Sequence, residues 1–147
     1  VNSSSIREIE SLRYTYGAEV RSAFSGFFNF HIGTEWETMQ VQTTIKNKNT
    51  DNMSFLDLNF SLSQKLTFQI ANERYYFGSL DRDNIYYFTD LDTQYVIKKN
   101  ALTLKLTAQN IWNTDNFASY YISDTTISNT QYRLLPRYFL LKMDFRF

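Results

Sequence analysis

The sequence contains no cysteine, one histidine and one proline. Without cysteine there is no disulfide framework and no thiolate metal site. With only 4 glycines beside the single proline, collagen-like and Pro/Gly-rich low-complexity structures are excluded. The 15 basic and 15 acidic residues balance, which argues against nucleic-acid binding, because that function needs a net positive field. The 147 residues are enough for one domain with a sizeable core.

Long apolar runs are also missing, and no stretch approaches the roughly 18 consecutive apolar residues of a transmembrane helix. The opening segment VNSSSIREIE has neither the basic nor the apolar part of a signal peptide, so we expect that a signal was removed or that the chain starts within a longer protein. Aromatic residues are abundant at 18%, yet the mean hydropathy is −0.42. Aromatic and polar residues must therefore be interleaved.

Alternation with a period of two dominates the sequence. From Leu12 to Val20 the even positions are apolar or aromatic, and most odd positions are polar. In SFLDLNFSL and LTLKLTAQ, one face of each segment carries three large apolar residues: Leu56, Leu58 and Phe60, and Leu102, Leu104 and Leu106. The pattern predicts an all-β chain of about seven antiparallel strands, each of roughly ten residues or more.

Short and long connections alternate between the predicted strands. Residues 25–26, 63–65 and 98–100 are short connections, and residues 46–52, 78–84 and about 113–133 are longer loops. Tight turns at one end and long loops at the other are typical of outer-membrane barrels, whose tilted strands need about 9–11 residues to cross a bilayer. We therefore predict a transmembrane antiparallel up-and-down β-barrel segment, with periplasmic short turns and extracellular long loops.

Aromatic residues gather near the loop ends of the predicted strands, as Tyr and Trp do at membrane interfaces. We assign this interfacial role to Trp36, Trp112, Tyr75 and Tyr87. The six leucine and phenylalanine residues of the two clearest strands are predicted to face lipid. Because periodicity does not fix which face points outward, a soluble lipid-binding β-barrel is an alternative.

The polar phase offers little support for catalysis. His31 lies on the polar side of its strand, and no glycine-rich phosphate loop is present. Four aspartates that invite a calcium interpretation, Asp81, Asp83, Asp90 and Asp92, lack the central Gly and terminal Glu of an EF-hand loop. We predict that the chain is not an enzyme and holds no metal or cofactor. Charges that share the polar phase are expected to pair across strands: Arg13, Glu19, Arg21, Lys105, Lys142, Asp144 and Arg146.

Two segments near the carboxyl end carry a resemblance to a known family. In LTLKLTAQNIWNTDNFASYY (102–121) a predicted strand ends in Asn110-Ile111-Trp112-Asn113-Thr114, and PRYFLLKMDFRF (136–147) alternates and finishes on Phe. Both resemble the carboxyl-terminal end of TonB-dependent outer-membrane receptors, in particular the outer-membrane β-barrel family abundant in Bacteroidota. Gly17-Ala18-Glu19 resembles the Gly-x-Glu strand of that family. The resemblance covers roughly 12–147.

The resemblance implies that the last strand carries the signal read by the barrel-assembly machinery of the bacterial outer membrane. By position, that signal consists of Phe139, Leu141, Met143, Phe145 and Phe147. It also implies nutrient import driven by TonB, which acts through a plug that is not visible in this chain, and a surface lipoprotein is a further candidate partner. Residues 1–147 are therefore expected to be the carboxyl-terminal segment of a larger barrel. A small structural or assembly-associated outer-membrane barrel is the alternative.

Overall fold

The computed structural model describes residues 10–23, 26–42, 46–80, 84–122 and 126–146. These residues form nine β-strands and no helix, which confirms the all-β prediction. The strands are β1 (Glu10–Arg21), β2 (Phe28–Gln42), β3 (Lys46–Ser61), β4 (Leu66–Phe77), β5 (Ile85–Lys98), β6 (Leu102–Gln109), β7 (Asn116–Ile122), β8 (Ile127–Arg133) and β9 (Tyr138–Phe145). In this described part, no helix is long and apolar enough to span a membrane.

Seven of the strands form one antiparallel sheet in the order β1-β2-β3-β4-β5-β6-β9, and β7 and β8 form a separate two-stranded hairpin. The order follows the chain except where the hairpin is inserted between β6 and β9. Within the described residues the sheet is open, with β1 and β9 as its edges. The antiparallel sheet expected from the alternation is therefore confirmed, whereas its closure into a barrel is not seen.

The strand register collects the apolar phases of all seven strands on one side of the sheet. Leu58 pairs with Phe30 on β2 and with Ile70 on β4, and Leu104 pairs with Tyr95 and Met143. We call this side the leucine face and the opposite side the polar face. Because cross-strand partners share a face, every register pair extends the same apolar surface.

The leucine face has no second layer over it in the described part of the chain. Phe139 is 69% exposed and Leu141 is 68% exposed, and no large side chain is fully buried. Soluble monomers rarely expose continuous apolar patches larger than a few hundred Å². The sheet is therefore a single layer whose apolar side needs an apolar surrounding.

The expected loop at residues 46–52 is wrong, because β3 begins at Lys46 and pairs with β2 as far as Gln42. The pairing satisfies backbone groups that a loop would expose to water. The hydroxyls of Thr38 and Thr50 also lie 3.1 Å apart across the pair. The possible extension of β2 to Ile45 lies outside the described residues.

The expected long loop at residues 113–133 is also wrong, because it folds into the β7–β8 hairpin. The ring of Phe117 enters an aromatic cluster on the polar face, with centroid distances of 5.4 Å to Tyr75, 5.6 Å to Phe77, 5.1 Å to Tyr86 and 5.9 Å to Phe88. The hairpin therefore lies over the polar face at the end of the sheet where the longer connections are found.

We predict that Phe117→Ala releases the hairpin from the sheet. Loss of a half-buried ring and its edge-to-face contacts should cost roughly 2 kcal/mol of local stability. Hydrogen exchange should accelerate in β7 and β8 but not in β3 or β4. Leu135→Ala is the control, because Leu135 is a large apolar residue just after the same hairpin and is 76% exposed. Equal acceleration in both variants would contradict anchoring by Phe117.

Candidate functional site

The leucine face has two zones along the strands. Toward the short connections at residues 62–65 and 99–101 it is apolar, and the rings of Phe28, Phe60 and Phe68 follow one another at centroid distances of 4.9 and 4.4 Å. Toward the longer connections it becomes polar, with the hydroxyls of Thr34 and Ser54 2.9 Å apart. The face therefore consists of an apolar belt, which includes Phe28, Phe60 and Phe68, and a polar band, which includes Thr34 and Ser54.

The predicted lipid-facing residues and most of the predicted assembly signal share this face. The register places these ten residues on it: Leu56, Leu58, Phe60, Leu102, Leu104, Leu106, Phe139, Leu141, Met143 and Phe145. Phe147, the last residue of the predicted signal, lies outside the described residues. Three segments of the chain that share an alternating pattern thus lie on one face of the same sheet.

The four predicted interfacial aromatics do not all lie on one side. Trp36 and Tyr87 occupy the leucine face, since they pair with Tyr16 and Arg74 of the same phase. Trp112 follows β6, and its indole Nε1 donates to Thr89 Oγ1 on this face at 2.7 Å.

Tyr75 corrects the expectation, because it lies on the polar face within the Phe117 cluster. Its run, Arg74-Tyr75-Tyr76-Phe77, does not alternate, so its phase has to be taken from Leu66, Phe68 and Ile70 earlier in β4. That phase puts Tyr76 on the leucine face and Tyr75 on the other. Tyr75 therefore does not belong to the interfacial group of the leucine face.

The same phase identifies a residue that the sequence analysis missed. Arg74 lies on the leucine face, where it pairs with Ser54 and Tyr87. Its NH1 donates to Asn52 Oδ1 at 3.0 Å. Counting alternate residues from Leu66 would have placed this cation on the leucine face.

Asn110 organises the corner after β6. Its backbone has a positive φ of 51°, a left-handed conformation that Asn tolerates better than most residues. Its side-chain amide donates to the carbonyl oxygens of Thr114 at 3.0 Å and Leu135 at 2.9 Å, and its Oδ1 accepts the Thr114 N–H at 2.9 Å. Its own N–H donates to Asp90 Oδ1 at 2.8 Å. The side chain of Asn110 thus joins both ends of the inserted hairpin, and its backbone N–H ties the corner to β5.

The rest of the Asn110–Thr114 segment fastens the corner to the neighbouring strand. The Thr114 hydroxyl donates to the carbonyl oxygen of Tyr87 at 2.8 Å, and Asn113 Oδ1 accepts the Arg137 N–H at 3.0 Å. Asn113 also has a positive φ, of 56°. The segment that carries part of the family resemblance therefore has a structural role here, as a fixed corner between β6, the hairpin and β9.

The polar face pairs its charges across strands, as expected for several of the predicted residues. Arg13 forms an ion pair with Glu37. Lys105 and Lys142 stand directly opposite each other, and Asp144 lies 3.5 and 3.0 Å from their amines. The carboxylate therefore separates two like charges that would otherwise repel.

His31 lies on the polar face near two carboxylates, with nitrogen-oxygen distances of 3.4 Å to Glu19 and 3.6 Å to Asp57. Among the described residues, no group of three metal-binding side chains is present. Asp92 accepts the Thr107 hydroxyl at 2.6 Å, so it has a structural contact, as Asp90 does at the corner. Asp81 and Asp83 lie outside the described residues.

Comparison of the chain with protein-family models, curated proteins and solved structures finds no match.

The Asn110 corner gives a testable prediction. Asn110→Gly keeps the left-handed backbone but loses three side-chain hydrogen bonds, and should cost roughly 1–2 kcal/mol of stability in residues 114–135. Asn110→Ala adds backbone strain of about 1 kcal/mol. Hydrogen exchange of the hairpin should rank wild type slowest, Gly intermediate and Ala fastest.

Asn100 provides the matched control. It also has a positive φ, of 60°, in the turn before β6, and its side chain forms no hydrogen bond within the described ranges. Asn100→Gly should therefore leave hairpin exchange unchanged. If Asn110→Gly behaved like Asn100→Gly, the side-chain bonds of Asn110 would not hold the corner.

Proposed function

We propose that this chain forms part of the wall of an outer-membrane β-barrel, and that the barrel belongs to a TonB-dependent receptor that imports a nutrient. The observation that carries the proposal is the uncovered leucine face opposite a face with paired charges. A barrel wall requires this division, because its outer side meets hydrocarbon and its inner side can meet water.

The apolar belt can be compared with the height of a hydrocarbon layer. On β9 the apolar positions run from Phe139 to Phe145, which is six residue steps and about 20 Å along the strand at a rise of about 3.3 Å per residue. Outer-membrane barrels have an apolar band of about 25 Å and strands tilted by about 35–45°. At that tilt the apolar positions of β9 cover about 15 Å of height, which is a little over half of the band.

The connections support one orientation in the membrane. The short turns before β4 and β6 lie at the apolar end, and we place them on the periplasmic side. The Asn110 corner and the β7–β8 hairpin lie at the opposite end and face outside. There the hairpin covers part of the polar face through Phe117, and it stands where a ligand entering the barrel would pass.

The narrower part of the proposal rests on the family resemblance. The predicted signal residues Phe139, Leu141, Met143 and Phe145 line the outer side of an edge strand, where an assembly factor could pair with β9. The partners that follow are outer-membrane lipid, the barrel-assembly machinery, TonB acting through a plug, and a surface lipoprotein. No enzymatic step is part of the proposal.

Lipid contact can be tested residue by residue, because the chain has no native cysteine. Single cysteines at 102, 104 and 106 and at 103, 105 and 107 would carry a small fluorophore in the full protein, inserted in bilayers that contain brominated lipid. We expect strong quenching at the even positions and little at the odd ones, since the two sets lie on opposite faces of β6.

The odd positions are the matched controls, because they share strand, depth and backbone environment with the even ones. A soluble barrel that binds lipid inside would leave all six labels unquenched by the bilayer. Quenching of the odd set alone would reverse the assignment of the faces. Either result would overturn the membrane proposal as stated.

The receptor assignment predicts that the native polypeptide is several-fold heavier than the 17.5 kDa of this chain, because a plug and further strands have to accompany it. Intact mass spectrometry of the protein purified from its source measures this directly. A mass near that of the chain would exclude the plug and with it TonB-driven import, and would favour a small structural or assembly-associated barrel.

A further inference from the structure

Arg74 is a cation in the polar band of the leucine face, one residue pair beyond Leu56 toward the longer connections. Its neighbours across the sheet on this face, Ser54 and Tyr87, are uncharged. Within the described ranges its guanidinium forms no ion pair with a carboxylate. On a lipid-facing wall, a cation at this level lies at headgroup depth, where it can reach an anionic group.

The guanidinium is held in place from one side. Its NH1 donates to Asn52 Oδ1 at 3.0 Å. Asn52 is only 4% exposed, and its amide is fixed by the Thr34 hydroxyl at 2.9 Å and the carbonyl oxygen of Glu35 at 2.8 Å. A guanidinium has five N–H donors, and the described residues engage one of them. Arg74 is therefore positioned, yet four of its five donors have no hydrogen-bond partner among the described residues.

An open groove of about 500 Å³ adjoins Arg74 on the leucine face. Val20, Ile32 and Leu56 line it one residue pair closer to the short turns, in the direction of the apolar belt. Trp112 forms its wall toward the corner, and the hydrogen bond from its indole to Thr89 holds that wall. The groove is thus apolar along its length and cationic at its outer end.

We propose that Arg74 and this groove bind an anionic lipid of the outer leaflet, with a headgroup phosphate on the guanidinium and an acyl chain along Val20, Ile32 and Leu56. Arginine suits this role because its planar fork donates two parallel hydrogen bonds to a phosphate. The phosphate supplies the counter-charge that the leucine face lacks around Arg74. The inference rests on the proposed function in one respect, that the leucine face contacts lipid.

The test is lipid retention by the full protein purified in an uncharged detergent. Diphosphorylated lipid A would be titrated, and the bound fraction measured by native mass spectrometry. Arg74→Gln should weaken binding about tenfold, because the charge-assisted hydrogen bonds to the phosphate are lost. The affinity of Arg74→Lys for lipid A should lie between those of the wild type and Arg74→Gln. Lysine keeps the positive charge but loses the planar guanidinium that donates two parallel hydrogen bonds.

Lys48→Gln is the matched control, because Lys48 lies on the same face, opposite Gln40, and outside the groove. It removes the same charge and should leave the affinity unchanged. Thermal melting followed by circular dichroism establishes that each variant is folded. If Arg74→Gln did not fold, Arg74→Lys would carry the comparison with Lys48→Gln.

Two further ligands complete the design. Fully dephosphorylated lipid A should bind to the wild type as weakly as diphosphorylated lipid A binds to Arg74→Gln. Inorganic phosphate alone should bind far more weakly than lipid A, because it does not occupy the groove. The proposal is overturned if Arg74→Gln retains wild-type affinity, if Lys48→Gln loses as much, or if either ligand matches lipid A.

This result is separable from the membrane proposal. Quenching at position 104 together with unchanged binding by Arg74→Gln would remove the lipid site and keep the barrel wall. An absence of quenching at position 104 would exclude the proposed barrel wall, whatever affinity Arg74→Gln has for lipid A.

Discussion

Burial of the leucine face is the constraint on which the rest of the structure depends. Seven strands place their alternate apolar residues on the same side of the sheet. Each large apolar side chain left in water there lacks the stabilisation of roughly 1.5–3 kcal/mol that burial would give. A globular protein would meet this cost with a second layer, but the described residues supply none over this face. The alternation, the register and the apolar belt therefore call for an apolar surrounding on this face, which the bilayer supplies in the proposed function.

The polar face is organised by different interactions, because water can cover it. Some of its charges form local pairs, such as Arg13 with Glu37, and exposed pairs of this kind contribute at most about 1 kcal/mol each. The rings around Phe117 supply apolar packing between this face and the hairpin. Two features therefore position the hairpin: the Asn110 corner holds both of its ends, and the ring of Phe117 holds its first strand against the polar face.

The alternation of apolar and polar residues predicted the features of the fold that depend on local sequence. The strands, their faces and the common side of Leu104 and Met143 follow from a period of two, because each strand must keep one face apolar. Two features escaped because their cause is not local. The segment from Lys46 is polar, but β2 supplies its backbone partners. The hairpin at 116–133 shows weak alternation and is held by rings on other strands. Tyr75 lies in an aromatic run, where composition hides the phase, but counting alternate residues from Leu66 would have placed both Tyr75 and Arg74 on their faces.

The topology adds a condition on how the sheet can close. Strands that are all antiparallel alternate in direction, so the first and seventh, β1 and β9, run the same way. Joining them directly would create a parallel pair, whereas outer-membrane barrels are antiparallel throughout. If the sheet is part of such a barrel, an odd number of additional strands has to stand between them. Because open strand edges are not tolerated in hydrocarbon, the membrane proposal and the need for those strands stand or fall together.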